Sequence, residues 1–249
     1  MNNVISFKQS IAYISILPLM LIYEKEKEFL WVIILFSLGN IRRISYKNNF
    51  TYFLRMTLYF GIYLAPFILG NKICFVMGRN QEMVTAALIG CLAVAVNYMM
   101  IHKRMVFYFS KYGIAMLGHK SKYRIALSIY NLIGAAICEE LFFRMYLIDV
   151  ESNHYVQIVV SAIYFFLAHY LLPWSEYFNR RDFLTQIVIG CVNAYIYVIS
   201  GSILTCICVH LMANMPHILM EIRRYERFYI NPSKYDCILE STERIDIDL

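Results

Sequence analysis

Long apolar runs, separated by short charged segments, dominate the pattern of hydrophobic and polar positions along this chain. A helix needs about 20 mostly apolar residues to cross a hydrocarbon core about 30 Å thick. Eight runs are candidate spans, the second of them short: Ile5–Tyr23, Phe29–Ile41, Tyr52–Leu69, Met83–Ile101, Ile125–Leu147, His154–Trp174, Phe183–Ile199 and Ser202–Met220. The pattern predicts an all-α, polytopic membrane protein with about eight transmembrane helices.

Composition agrees with a single membrane domain. Hydrophobic residues make up 60% of the 249 positions and charged residues 16%, whereas a soluble domain carries about 25% charged residues. We expect a transmembrane domain over residues 1–220, with its functional core at 125–220, and a cytoplasmic tail over 221–249.

The basic residues predict the orientation of this domain. With a cytoplasmic N-terminus, inside segments hold 17 of the 23 Lys and Arg residues, outside loops hold 4, and Arg55 and Arg144 lie within spans. Cytoplasmic loops carry such an excess of positive charge, so we expect a multi-pass protein of the cell membrane with both termini in the cytoplasm. The net charge of +6 is spread over several loops, so it predicts contact with the lipid bilayer and not with nucleic acid.

The fifth span contains charged groups, which cost about 2.5–3.5 kcal/mol each on insertion scales. They are Glu139, Glu140 and Arg144, and the small residues 134–136 just before them let a neighbouring helix approach closely. Glu140 and Arg144 are four residues apart and can pair on one helix face, whereas Glu139 points about 100° away. Taken alone, a buried ion pair that only fixes helix packing explains this motif equally well.

Two more spans contain polar groups. The sixth has His169 one turn after Phe165, and the eighth has His210 and Asn214 four residues apart, whereas His217 is expected to be peripheral. Each could make ordinary interhelical hydrogen bonds. Together with a carboxylate they suit hydrolysis, because the carboxylate can take a proton from water and imidazole and amide groups can donate hydrogen bonds to an oxyanion. We therefore expect an active-site cavity within the membrane.

The three motifs occur in a fixed order, EExxxR at 139–144, FxxxH at 165–169 and HxxxN at 210–214. In this order they resemble the motifs of the CPBP family, which contains the type II CAAX prenyl endopeptidases and the bacterial Abi bacteriocin-processing and immunity proteins. The resemblance extends over about Ile125 to Met220. It implies an intramembrane endopeptidase, which we expect in a bacterial plasma membrane.

The resemblance also implies a role for each motif residue. Glu139 would activate the hydrolytic water with the help of His169, and His210 and Asn214 would form the oxyanion hole. Three supporting residues would hold the geometry of the site: Glu140, Arg144 and Phe165.

The family was long described as metalloproteases, but the sequence lacks an HExxH zinc pattern. We therefore favour a glutamate mechanism with neither a metal ion nor another cofactor. A carboxylate and two imidazoles are also groups that can hold zinc, so a zinc site stays an alternative. The expected partner is a peptide or small membrane-protein substrate, such as a bacteriocin leader, a pheromone precursor or a CAAX-like sequence.

Two other functions stay open on the sequence alone. A non-proteolytic bacteriocin-immunity or regulatory protein would bind another membrane protein, although such a binder need not keep these polar motif residues buried. A transporter could use intramembrane carboxylates for proton coupling. However, the chain shows no internal repeat and no pair of broken spans in matching halves, which many transporters have.

Overall fold

The computed structural model describes residues 41, 48–68, 73, 78, 80–148, 153–171 and 180–233, and within these ranges all regular structure is helical. The α-helices are α1 (Asn49–Ile68), α2 (Asn80–Phe109), α3 (Lys111–Ala115), α4 (Lys122–Glu140), α5 (His154–Leu171), α6 (Arg180–Ser200) and α7 (Ile203–Tyr225). Two of these helices continue as π-helical segments, α4 into Leu141–Tyr146 and α7 into Glu226–Ile230. The predicted all-α fold is confirmed for the described part of the chain.

Four helices among the described residues, some with their π-helical extensions, are long and apolar enough to cross a membrane: Asn80–Phe109, Lys122–Tyr146, Arg181–Ser200 and Ile203–Ile230. They match the fourth, fifth, seventh and eighth predicted spans. The spans predicted at Tyr52–Leu69 and His154–Trp174 coincide with α1 and α5, which do not belong to this set of four. The spans predicted at Ile5–Tyr23 and Phe29–Ile41 lie outside the described residues, apart from Ile41. The count of about eight transmembrane helices is therefore not confirmed.

The last helix is longer than predicted. It passes Met220 and continues to Tyr225, and its π-helical extension ends at Ile230. The first ten residues of the tail predicted at 221–249 therefore prolong α7. In this extension Arg227 donates hydrogen bonds to the carbonyl oxygens of Ile114 and Leu117, each at 2.8 Å, which attaches the end of α7 to α3.

Helix α4 contacts both α1 and α7, while α6 packs against α5 and α2, and α2 also contacts α7. The π-helical segment Leu141–Tyr146 contacts α1, α5, α6 and α7. Because Glu139 and Glu140 are the last two residues of α4, the charged motif lies where these helices meet.

A tight turn joins α6 to α7. Gly201 has a φ of 62°, a left-handed conformation that glycine adopts without steric cost. The next residue, Ser202, caps α7 by accepting a hydrogen bond from the amide of Thr205 at 3.3 Å. The turn brings α7 back along α6, so that Asn193 Nδ2 donates to the carbonyl oxygen of Cys206 at 3.3 Å.

Helix α1 packs closely on α4 at a glycine. A Cβ atom at Gly134 would lie 2.5 Å from two ring atoms of Phe60, so the side chain of any other residue would displace this ring. The close helix approach predicted from the small residues 134–136 is thus present. It also brings Tyr59, the neighbour of Phe60, to the end of α4.

Candidate active site

Glu139 is buried at the end of α4, with 2% of its surface exposed. Its Oε1 accepts a hydrogen bond from the hydroxyl of Tyr59 on α1. Its Oε2 lies 3.6 Å from Nε2 of His169 on α5 and has no hydrogen-bond partner among the described residues. One carboxylate oxygen is therefore held by the tyrosine, and the other is directed at the histidine.

His169 presents a defined ring nitrogen to Glu139. Its Nδ1 lies 2.9 Å from the carbonyl oxygen of Phe165, one turn earlier on α5. A carbonyl oxygen can only accept, so Nδ1 carries the proton of this bond. In the neutral ring Nε2 is then an acceptor, and it faces Oε2 of Glu139. Two acceptors are therefore directed at the same space.

Glu140 points away from Glu139 and is surrounded by donors. Nε of Arg144 lies 3.1 Å from its Oε2, and both side chains are fully buried. Nδ1 of His210 lies 2.8 Å from Oε1, and Nδ2 of Asn193 donates to the same oxygen at 3.0 Å. The ion pair predicted from the four-residue spacing is present, and the two adjacent glutamates face different partners.

Phe165 is fully buried and packs against three of the polar groups. Its ring centroid lies 5.0 Å from the guanidinium carbon of Arg144, 4.4 Å from the ring of His169 and 5.8 Å from that of His210. The negative face of an aromatic ring attracts a cation at this range. Arg144 also donates from Nη1 to Ser161 Oγ at 2.7 Å. Phe165 therefore links the buried ion pair to both histidines by packing.

His210 and Asn214 lie one turn apart on α7 and border the same cavity as Glu139. Nδ2 of Asn214 donates to the carbonyl oxygen of Leu132 on α4 at 3.2 Å. A side-chain amide has two N–H donors, so one of them is left for a molecule in the cavity.

The four residues predicted to be catalytic converge on one cavity of about 300 Å³. Its lining consists of Tyr59, Asn131, Leu132, Ala135, Glu139, His169, Gln186, His210, Asn214 and His217. A second cavity, of about 440 Å³, involves α2, α6 and α7 and shares Gln186, His210, Asn214 and His217 with the first. This larger cavity is also bordered by Arg104 and Asp182, whose two hydrogen bonds of 2.8 and 3.2 Å join α2 to α6.

Several residues of this site were not predicted from the sequence. Tyr59 holds Glu139, Asn193 holds Glu140, and His217, expected to be peripheral, borders both cavities. Tyr59 is one of 21 tyrosines, and its partner is on another helix, so no local pattern marks it. An amide within an apolar span is a signal that could have indicated Asn193.

The side chains of the site do not form a ligand set for a metal ion. Within the described residues, no group of three His, Cys, Asp or Glu side chains is arranged to hold one. Glu140 and Nδ1 of His210 bind each other, and the guanidinium of Arg144 beside them would repel a cation.

Comparison with known proteins agrees with the three motifs. A family model described as type II CAAX prenyl endopeptidase Rce1-like matches residues 121–216. No curated protein and no solved structure matches the chain. The matched segment contains all seven motif residues that converge in and around the cavity, and this match supports the resemblance of residues 121–216 to the CPBP family.

Proposed function

We propose that this membrane protein is an intramembrane endopeptidase that hydrolyses a peptide bond with a water molecule activated by Glu139 and His169. The match of residues 121–216 to the Rce1-like family model supports a CAAX protease-type peptidase. The observation that carries the mechanism is the approach of Oε2 of Glu139 to Nε2 of His169, at 3.6 Å, beside a cavity.

One water molecule can bind both acceptors. Two acceptors 3.6 Å apart can each lie within the usual hydrogen-bond distance of about 2.8 Å from the same water oxygen. That water donates one hydrogen bond to Glu139 and one to His169, so its lone pairs point into the cavity. Its oxygen attacks the carbonyl carbon of the substrate while Glu139 takes one proton, and the same proton then goes to the leaving amine as the C–N bond breaks.

His210 and Asn214 are placed to stabilise the negatively charged oxygen of the tetrahedral intermediate. Nδ1 of His210 is engaged with Glu140, so Nε2 is the atom directed away from that carboxylate. If Nδ1 donates to Glu140, then Nε2 can donate to the substrate only when the ring is the doubly protonated imidazolium. The negative charge of the adjacent carboxylate stabilises this form. The second N–H of Asn214 supplies another donor, and such donors typically contribute about 10²–10³-fold in kcat.

The larger cavity supports access for a peptide from the cytoplasmic side. It is bordered by Arg104 and Asp182, next to loops whose basic residues predict a cytoplasmic location. We infer that the substrate is a peptide or a small membrane protein. It could be a CAAX-like sequence, a bacteriocin leader or a pheromone precursor. The same charge pattern supports a multi-pass protein of the plasma membrane with both termini in the cytoplasm.

The proposal is tested with the full chain in lipid vesicles and a quenched fluorescent, farnesylated CAAX-type peptide. The wild-type protein should release the fluorophore, and Glu139→Gln should lose this activity, because the amide keeps the shape of the side chain but cannot take a proton. Glu82→Gln, on α2 outside both cavities, is the matched control and should keep full activity. Cleavage by Glu139→Gln at the wild-type rate would disprove the glutamate mechanism, and tight binding of the peptide without cleavage by the wild type would favour a non-proteolytic binding protein.

A further inference from the structure

We propose that Tyr59 is a positioning residue for Glu139: its hydrogen bond determines which carboxylate oxygen acts as the base. The inference rests on the proposed function and adds a part of the machinery outside the segment 121–216 that the family model matches.

The hydrogen bond separates the roles of the two carboxylate oxygens. The hydroxyl of Tyr59 donates to Oε1 of Glu139, and Oε2 is left facing His169. A free carboxylate rotates about its last side-chain bond over a broad range of angles. With Oε1 fixed by a donor from α1, the plane of the carboxylate is fixed, and Oε2 stays on the side of the cavity where water would be activated.

The position of Tyr59 is itself determined by packing. The side chain is 3% exposed, and its ring contacts those of Phe60, at a centroid distance of 5.9 Å, and Tyr63, at 5.0 Å. Phe60 lies on Gly134 of α4, five residues before Glu139. The contact between α1 and α4 therefore brings the hydroxyl to the carboxylate without using any motif residue.

Tyr63 provides a matched comparison one turn further along α1. Its side chain is fully buried, and its hydroxyl lies beside that of Tyr59 but makes no hydrogen bond to Glu139. Removal of the hydroxyl is the same chemical change at both positions. Only at Tyr59 does it remove a donor from Glu139.

The test compares Tyr59→Phe and Tyr63→Phe, each as the full chain in vesicles with the farnesylated peptide. Hydrogen bonds to charged groups contribute enough that we expect Tyr59→Phe to lose roughly ten- to a hundredfold in kcat. KM should stay close to wild type, kcat is compared at equal amounts of folded protein, and Tyr63→Phe should keep the wild-type kcat. Replacement of Tyr59 by 4-aminophenylalanine, which keeps a donor at the same place, should restore most of the activity.

Three results would overturn the assignment: a wild-type kcat for Tyr59→Phe, an equal loss for both variants, or a loss that only follows the amount of folded protein. Glu139→Gln, measured in parallel, distinguishes an error in the role of Tyr59 from failure of the proposed function. If Glu139→Gln is inactive and Tyr59→Phe is fully active, only the role of Tyr59 is wrong, whereas an active Glu139→Gln disproves both.

Discussion

Nε2 of His169 and Oε2 of Glu139 face each other at 3.6 Å, each close to the end of a different helix. The distance is too long for a direct hydrogen bond and short enough for one water molecule to contact both atoms. The pair is held on both sides, by the carbonyl of Phe165 at His169 and by Tyr59 at Glu139. The geometry that the proposed water activation requires is therefore present before any substrate binds.

Replacement of His169 should affect catalysis more than folding. We expect His169→Ala to lower kcat by roughly 10²–10⁴-fold, the usual contribution of a positioned acid–base group, because the water would lose one of its two acceptors. The readout is the rate of peptide cleavage in vesicles at matched protein amounts. His154→Ala, on an exposed position of the same helix, should have the wild-type rate. An unchanged rate for His169→Ala would show that His169 does not position the water.

Replacement of Arg144 should affect folding. Arg144 and Glu140 are both fully buried, so Arg144→Ala leaves a buried carboxylate without its cation, a change that typically costs about 3–5 kcal/mol. The free energy of unfolding in detergent micelles measures this loss. The partly exposed pair of Arg104 and Asp182 is the control, because Arg104→Ala should cost about 0–1 kcal/mol. Equal losses for the two variants would contradict a special structural role of the buried pair.

Gly134→Ala should move α1 away from α4. The added Cβ atom would lie 2.5 Å from two ring atoms of Phe60, and a shift of this ring would carry Tyr59 away from Glu139. We expect a lower kcat together with lower stability, measured by peptide cleavage and thermal unfolding.

The control for this prediction is Gly61→Ala on α1, where the Cβ atom would meet nothing within 4 Å. Alanine is favoured over glycine within a helix by up to about 1 kcal/mol, so Gly61→Ala should keep activity and gain stability. The prediction is wrong if Gly134→Ala behaves in the same way as Gly61→Ala.

Removal of divalent metal ions should not affect the reaction. The proposed step uses a carboxylate to take the proton and an imidazole to position the water by accepting a hydrogen bond, and it needs no cation. Prolonged dialysis against EDTA or 1,10-phenanthroline should leave the cleavage rate unchanged. A loss of activity that added zinc restores would instead support the alternative of a zinc site at Glu139 and His169.

The helices of the described part could be predicted from the sequence, and their local details could not. Hydropathy located the central parts of α2, α4, α6 and α7, because a run of apolar residues is a local property. The π-helical turn at Leu141–Tyr146 was not predicted, since it arises where the chain is in contact with four other helices. The extension of α7 beyond Met220 was missed for a similar reason: polar residues there, such as Arg227, bond to another part of the protein.

The candidate site also has features that could be predicted from the sequence and features that could not. Spacing along one helix predicted the pairing of Glu140 with Arg144 and the separate direction of Glu139, because helix geometry fixes both. The partners that come from other helices, Tyr59 and Asn193, depend on how the helices pack. A single sequence does not show how its helices pack, so it could not identify these two residues as partners of the glutamates.

The location of Glu139 and Glu140 at the junction of several helices has a consequence for biogenesis. Helices of membrane proteins first insert separately and then associate, and polar side chains help to hold them together. Until α4 meets α1 and α7, its two carboxylates lack Tyr59 and His210 as donors, so association relieves the cost of polar groups left in lipid. The groups to which we assign catalysis thus also favour assembly, and the proposed proteolytic centre would form only when the bundle is complete.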